Sequence, residues 1–557
     1  MSSLHAAAVQ LPLSLPSAST GRTYERREPE TTLLHRVVRD NLEEFLEHAR
    51  ETYAKPIPRY VERALRGYLK CGLLRFGFTR VRCPSCRHEY LVAFSCKCRT
   101  ICPSCATRRM AATGVHIADK VLPRAPLRQW VLSVPWEIRG LLAANAKVLS
   151  AVVRIFNRVV SSWYERVARE GGLEASKTGA LSFPQRFGGS LNLHVHLHDV
   201  FVDGVFTKQE DGSVRFVEVR APSQTEILQV AAETGRKVVA WLKRHGFVAG
   251  NAEAEAGEQT ALDACMRVGM SPGTHQRIVA RGQADATIDP DDARFDHRSR
   301  SPWSAEVDGF SVNAGVRMRA EDVAGRERLI RYCARPALSL ERLSELPNGL
   351  IAYRTKYPLR GGRTHRIMTP LELLARLAAL IPPPRYPLVR YHGVLAPASK
   401  WRRLVVPARE SSPCEHLDVP SPPAERVEPK KGKSCPELTR SNADTSEEGK
   451  GAARTSSYID WATLMRRGLG IDVLDCPRCH QKMQPVAVIE REETIERIMT
   501  HLELPLRPEE LADGTVVHDV TGEPVLSASV LWDEEGAGHG RGPPSEWDGV
   551  DAPDPAG

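Results

Sequence analysis

Apolar residues along the chain follow two periods, and the changes between them divide it into segments. Up to about Glu30 the chain is rich in Ser, Pro and Ala without a periodic apolar pattern, so residues 1–30 are expected to be a disordered amino terminus. Leu34, Val37, Val38, Leu42, Phe45 and Leu46 then recur at helical spacing behind Thr31 and Thr32, which suit a helix cap. A second helix is expected near Tyr60 to Leu69. Arg128 to Val134 has strand character, and Leu141 to Tyr164 predicts one long helix. Leu191 to Phe206 alternates with period two, and Asp211-Gly212 marks a hairpin between Phe206 and Val214. Ser223 and Glu226 form a capping box for a helix ending near Gly246. A strand is expected over Gly309 to Met318 and a helix over Glu321 to Arg335, stopped by Pro336. Another helix opens at Thr369-Pro370 and closes at Pro382-Pro383-Pro384. Strands, hairpins and long helices mixed in this way place the fold in the α+β class.

Beyond about Ala408 the pattern changes. Residues 408–457 are Ser, Pro, Glu and Lys with almost no large apolar side chain, and predict a flexible linker. A small CxxC module is expected over 458–510, followed by an acidic, Gly- and Pro-rich tail over 511–557. No repeat of solenoid length is present.

At 557 residues the chain is long enough for several domains and a large core. The formal net charge is +9, and it is unevenly spread. Between Tyr353 and Arg403 lie Arg354, Lys356, Arg360, Arg363, Arg366, Arg376, Arg385, Arg390, Lys400, Arg402 and Arg403, against the single acid Glu372. Such a run suits a polyphosphate partner, with Arg354, Arg363, Arg390, Lys400 and Arg402 as candidate nucleic-acid contacts. No apolar stretch reaches bilayer length and the amino terminus lacks a basic region before its mildly apolar stretch, so a cytoplasmic location is expected.

Most of the thirteen cysteines come in short pairs, which fits metal binding in a reducing compartment better than a disulfide framework. Cys83-Pro-Ser-Cys86 and Cys102-Pro-Ser-Cys105, fifteen residues apart, match a four-thiolate structural zinc site of ribbon type. Cys71, Cys96 and Cys98 are left over, so one ligand could exchange, with Cys96 a candidate, or a second ion could bind. Cys476-Pro-Arg-Cys479 is half a site. It would need ligands from elsewhere in the chain or from a second copy.

In the period-two run, His194, His196 and His198 fall on one strand face while Leu193, Val195 and Leu197 take the other. Imidazoles grouped in this way are candidate ligands for one metal ion. A metal that polarises a phosphodiester still needs a nucleophile. Tyr332 is a candidate, with Arg328 four residues before it and Arg335 three after it on one helical face. Tyr353 and Tyr357, four residues apart, are the runner-up pair.

Five ordered blocks carry a more specific signal: Arg82 to Met110, Arg128 to Pro135, Gln185 to Phe206, Arg331 to Leu343 (RYCARPALSLERL) and Arg390 to Trp401 (RYHGVLAPASKW). Together they resemble the rolling-circle transposases of the insertion-sequence ninety-one family, and the likeness covers roughly Tyr60 to Arg403. The resemblance implies a helical and zinc-binding domain over 31–112 and an HUH endonuclease domain over 113–403, built on an antiparallel sheet with flanking helices. U denotes a hydrophobic residue, so the triplet is His196-Leu197-His198, with His194 an additional histidine on that face. Mg²⁺ or Mn²⁺ would be held there and zinc at the cysteines. Tyr332 would attack single-stranded DNA of the transposon ends and target, leaving a 5′-phosphotyrosine. Position 328 is arginine where founding members have a second tyrosine, so the chain resembles the single-tyrosine branch. Two other readings stay open: a zinc-ribbon DNA-binding regulator without catalysis, and a zinc hydrolase built on His194, His196 and His198.

Overall fold

The structure is a computed structural model that describes residues 24, 26–247, 260–271, 301–356, 359, 362–406 and 461–504. The segments read as linker and acidic tail lie outside the described residues, as do Tyr357, Arg360 and all but a few of residues 1–30.

An antiparallel sheet of seven strands forms the centre. Its order is Arg390–Gly393, Gly179–Phe187, Leu193–Val202, Leu127–Ser133, Phe310–Asn313 and Ser304–Val307, and Arg317–Met318 pairs with the far end of Leu127–Ser133. Leu193–Val202, the strand carrying the three histidines, is hydrogen-bonded on both sides and buried along its whole length. Both faces are covered, which explains why its two neighbours, Gly179–Phe187 and Leu127–Ser133, are also fully buried. On one face Leu193, Val195, Leu197 and Phe201 pack with Val152, Phe156 and Val160 of the helix Ala146–Glu170. On the other, Val200, Val202, Leu181 and Phe183 meet Leu329, Ile330 and Cys333 of the helix Val323–Cys333, together with Ile117 and Val121 at the end of Pro103–Lys120. The period-two pattern thus sorts two apolar layers and leaves the histidines on the layer facing Val323–Cys333.

Local signals in the sequence explain most of the boundaries. Thr32 caps Leu33–Thr52 by accepting from the His35 N–H, and Thr369 caps Pro370–Leu380 through the Glu372 N–H. The Ser223/Glu226 capping box is formed in full. Gly212 sits at φ 81° in the hairpin turn, a conformation that favours glycine. Two expectations need correction. The long helix expected over Leu141 to Tyr164 is two helices, Trp136–Ala144 and Ala146–Glu170, because the Asn145 side chain accepts from the N–H groups of Lys147 and Val148 and caps a new start. The strand expected over Gly309 to Met318 is interrupted where the Asn313 side chain accepts from the Gly315 N–H at 3.1 Å, a local turn that ends the ladder.

A second, three-stranded sheet joins distant parts of the chain. Phe78–Arg82 pairs with Glu89–Ala93 on one side and with Gln484–Ile489 on the other, both antiparallel. Ile495 and Met499 of the helix Glu492–His501 pack on Leu74, Phe78 and Leu91. Residues 461–504 are therefore part of the cysteine-rich region in space. No helix among the described residues is long and apolar enough to cross a membrane.

Candidate catalytic and metal sites

The histidine strand brings His196 and His198 onto one face, and their Nε2 atoms stand 3.0 Å apart. Two nitrogens at about 2.1 Å from one metal ion and at right angles about it are separated by about 3.0 Å, so this spacing is what adjacent ligands of one ion require. The opposite ring edges are already engaged. The Nδ1 of His196 lies 3.1 Å from the His194 carbonyl oxygen, so Nδ1–H donates there and the Nε2 lone pair faces His198. The Gln129 amide lies 2.7 Å from Nδ1 of His198 and fixes that ring. Burial, helped by the charges of Arg335 and Arg139, lowers the His196 pKa to about 3. His198 is pushed well below the usual histidine value by burial, then by His196 and Arg335. Both rings are neutral at physiological pH, the state that ligates metal. His194 stacks on His196 with ring centroids 5.2 Å apart.

The helix Val323–Cys333 places Tyr332 over this pair. Its ring meets that of His198 edge-on, with centroids 5.6 Å apart. The Arg335 guanidinium, just beyond the helix, lies 4.8 Å from the Tyr332 ring centroid and 5.5 Å from that of Phe187. Arg328, half-buried, sits one turn before the tyrosine. Gln185, which pairs with His196 across the sheet, donates from its amide to the Cys333 carbonyl at 2.7 Å and so ties the end of the tyrosine helix to the strand beside the histidines. Cations crowded around neutral imidazoles call for a polyanion, and a phosphodiester satisfies both. Gln129 and Gln185 were not singled out from sequence. The available signal was that each is a polar residue inside an otherwise apolar strand, at a position that alternation puts on the histidine face.

Tyr353 is placed differently. It lies on Ile351–Arg354 in a separate three-stranded sheet, is only 2% exposed, and burial raises its phenol pKa.

The cysteines do not form the single ribbon expected from Cys83, Cys86, Cys102 and Cys105. Two groups of four are present instead: Cys71, Cys96, Cys102 and Cys105, and Cys83, Cys86, Cys476 and Cys479. The physical reason is the strand pairing. Phe78–Arg82 and Glu89–Ala93 form a hairpin that holds Cys83 and Cys86 at one end. Cys102 instead stands at the N-cap position of the helix Pro103–Lys120, whose first turn carries Cys105 toward Cys71 and Cys96. In that first group Sγ separations are 3.5 Å for Cys71 and Cys102, and 3.6 Å for Cys105 with both Cys71 and Cys96. Sulfurs about a tetrahedral zinc at about 2.3 Å lie about 3.8 Å apart, so the four fit one ion. Cys98 stays outside, its thiol donating to the Ala64 carbonyl at 3.3 Å.

The basic run from Tyr353 to Arg403 is likewise divided. Arg366 and Arg376 are fully buried and bond Ser271 O, Ser190 Oγ, Gly269 O and Glu372, so they are structural. Arg390 donates to Ser150 Oγ at 2.9 Å and lies over the Tyr386 ring; Arg402 donates to the Leu395 carbonyl and lies over Tyr391. Arg354, Arg363 and Lys400 are exposed.

The sheet thus presents a histidine pair to a helix-borne tyrosine, and the thiols gather in two separate groups of four. Comparison with known proteins points to a DNA-processing enzyme. Residues 37–134 match a family model described as "Transposase zinc-binding domain", the one for the insertion-sequence ninety-one family, and residues 179–403 match one described as "Putative transposase". The chain carries the zinc-binding and transposase domains of the insertion-sequence ninety-one family, in the order in which the sequence blocks occur. No curated protein and no solved structure matches it.

Proposed function

We propose that this transposase cuts and rejoins single-stranded DNA at the ends of a mobile element through a 5′-phosphotyrosine, acting in the cytoplasm on nucleoid DNA in rolling-circle fashion. The observation that carries the reading is the 3.0 Å pair of imidazole Nε2 atoms with the Tyr332 ring against one of them. His196 and His198 would hold Mg²⁺ or Mn²⁺, which supplies charge neutralisation at the scissile phosphate. The Gln129 amide nitrogen stands 2.7 Å from His198 Nδ1; with a metal bound, that amide would turn its oxygen there, so that Nδ1 keeps its proton and the Nε2 lone pair faces the ion. The Tyr332 hydroxyl attacks phosphorus. An Oη–P bond forms, the P–O3′ bond breaks, and a proton goes to the leaving 3′ oxygen, giving a free 3′ hydroxyl and a DNA 5′ end joined to the protein. Attack by that or another 3′ hydroxyl reverses the step, so no nucleotide cofactor is needed. Arg335, and Arg328 one turn earlier, hold phosphate oxygens near the phenol. Exposed Arg354, Arg363 and Lys400, with Arg390 and Arg402 nearer the body, extend the contact to the DNA backbone. Cys71, Cys96, Cys102 and Cys105 hold a structural zinc ion in the amino-terminal domain.

Incubation with end-labelled single-stranded oligonucleotides and Mn²⁺, followed by denaturing electrophoresis, tests the reading. A labelled protein band is expected when the label lies on the 3′ side of the cut. Cleavage without any such band points to water as nucleophile, and no cleavage with any element-end sequence points to a regulator.

A further inference from the structure

The second cysteine group joins residues nearly four hundred positions apart, and the match to the zinc-binding family model ends at residue 134, well before two of its members. Cys83 Sγ lies 3.4 Å from Cys479 Sγ, and Cys86 Sγ lies 3.4 Å from Cys476 Sγ. All four sulfurs lie within 4.8 Å of one another. The two halves share one backbone geometry. In the first, the Cys83 N–H donates to the His88 carbonyl at 2.8 Å and the Arg87 N–H to the Cys83 carbonyl at 3.1 Å. In the second, the Cys476 N–H donates to the Gln481 carbonyl at 3.0 Å and the His480 N–H to the Cys476 carbonyl at 2.9 Å. The residue after each second cysteine is left-handed, Arg87 at φ 61° and His480 at φ 55°. Left-handed backbone is uncommon outside glycine, and for arginine especially, yet both knuckles adopt it at the same place. The turn curls each Cys-Pro-x-Cys so that both sulfurs point to one spot. Cys102-Pro-Ser-Cys105 has the same sequence form but runs into a helix.

We propose that Cys83, Cys86, Cys476 and Cys479 bind a second zinc ion, which closes a ribbon from two knuckles on opposite sides of residues 407–460 and staples residues 461–504 to the amino-terminal domain. Zinc is the metal that four thiolates in a tetrahedral, closed set select. Cys83 and Cys476 are fully buried, and Val81, Met483, Tyr90 and Leu474 pack around them. The Tyr90 hydroxyl donates to the Val473 carbonyl across the same junction. The staple reaches toward the chemistry. Arg467 of the helix Trp461–Leu469 pairs with Asp119 of Pro103–Lys120. That helix in turn lies so close to the tyrosine helix that a Cβ at Gly114 would stand 2.7 Å from Cγ of Arg331. The carboxy-terminal residues thus brace the element on which the Tyr332 helix rests.

Elemental analysis of the purified full-length chain tests the site directly. Two zinc ions per chain are expected in the parent and one in a Cys476→Ser/Cys479→Ser double variant. A protease site placed within residues 407–460 adds a second readout: after cutting, the carboxy-terminal piece should co-elute with the rest in the parent and come away in the double variant. Cobalt substitution gives a third, since thiolate-to-cobalt absorption should fall by about half in the double variant. One zinc ion in the parent, or the same zinc content in parent and double variant, overturns the proposal.

Discussion

The histidine site and the cysteine sites are both built from close-set candidate ligands, but they are assembled over very different distances along the chain. His196 and His198 are two residues apart on one strand, and extended backbone alone puts them on one face. The thiols are gathered by topology. Cys83 and Cys479 are brought within 3.4 Å by a hairpin, a crossing strand from the far end of the chain and a second knuckle. A site made within one element can be read from spacing; a site made between elements cannot, because spacing shows which donors exist and not which ones meet.

If that contrast is right, the two kinds of site should fail differently. His196→Ala has the largest expected effect on chemistry. Cleavage should fall by about a hundredfold or more while the melting temperature changes little, since the ligand is lost from a sheet that stays packed. A variant that unfolds as well would show that the histidine pair is structural. Cys102→Ser should do the reverse within the amino-terminal domain: zinc is lost and the domain melts earlier, because binding of a structural zinc ion is folding free energy. Isothermal metal binding and thermal melting of the two variants side by side measure the contrast.

Gln129→Leu sharpens it further. The amide holds His198 by its outer nitrogen, so Mn²⁺ affinity should drop about 10- to 100-fold without loss of fold, as for other residues that orient a ligand. Unchanged Mn²⁺ affinity would make Gln129 a packing residue.

The smallest effect on cleavage is expected at Asp199, on the same strand but facing the opposite layer, where the change falls on stability instead. Burial raises its pKa to about 7, with Ser182 and Asn157 offsetting part of the shift. The folded state then holds a proton that the unfolded chain releases near pH 4, so stability falls as pH rises from about 4 to 7 and is level above that. Denaturant midpoints at pH 5 and pH 8 should therefore differ more in the parent than in Asp199→Asn. Equal differences would place the proton elsewhere.

Helix caps and the histidine face were legible because each depends on residues within one or two turns: Thr32, the Ser223/Glu226 pair and the period-two run all have the form that the sequence implies. Asn145 was legible in principle, being a strong cap inside an apolar stretch, but the helical periodicity on both sides of it masks the break. The ribbon was misassigned because Cys83-Pro-Ser-Cys86 and Cys102-Pro-Ser-Cys105 look alike and stand at a suitable separation. The surplus of Cys71 and Cys96, and the third Cys-Pro-x-Cys at Cys476, were the signals that more than one group of four was present. The basic run misled in a similar way, since the sequence cannot show that Arg366 and Arg376 turn inward to cap carbonyls while Arg354 and Lys400 stay outside.

The proposal stands or falls on Tyr332, set against the histidine pair, as the residue whose Oη becomes joined to DNA. Mass spectrometry of the protein after reaction with a single-stranded element-end oligonucleotide and Mn²⁺ tests it most directly. The account predicts a nucleotide adduct on the peptide containing Tyr332, absent in Tyr332→Phe although that variant still binds the DNA. An adduct that persists in Tyr332→Phe and maps to Tyr353 or Tyr357 would contradict it.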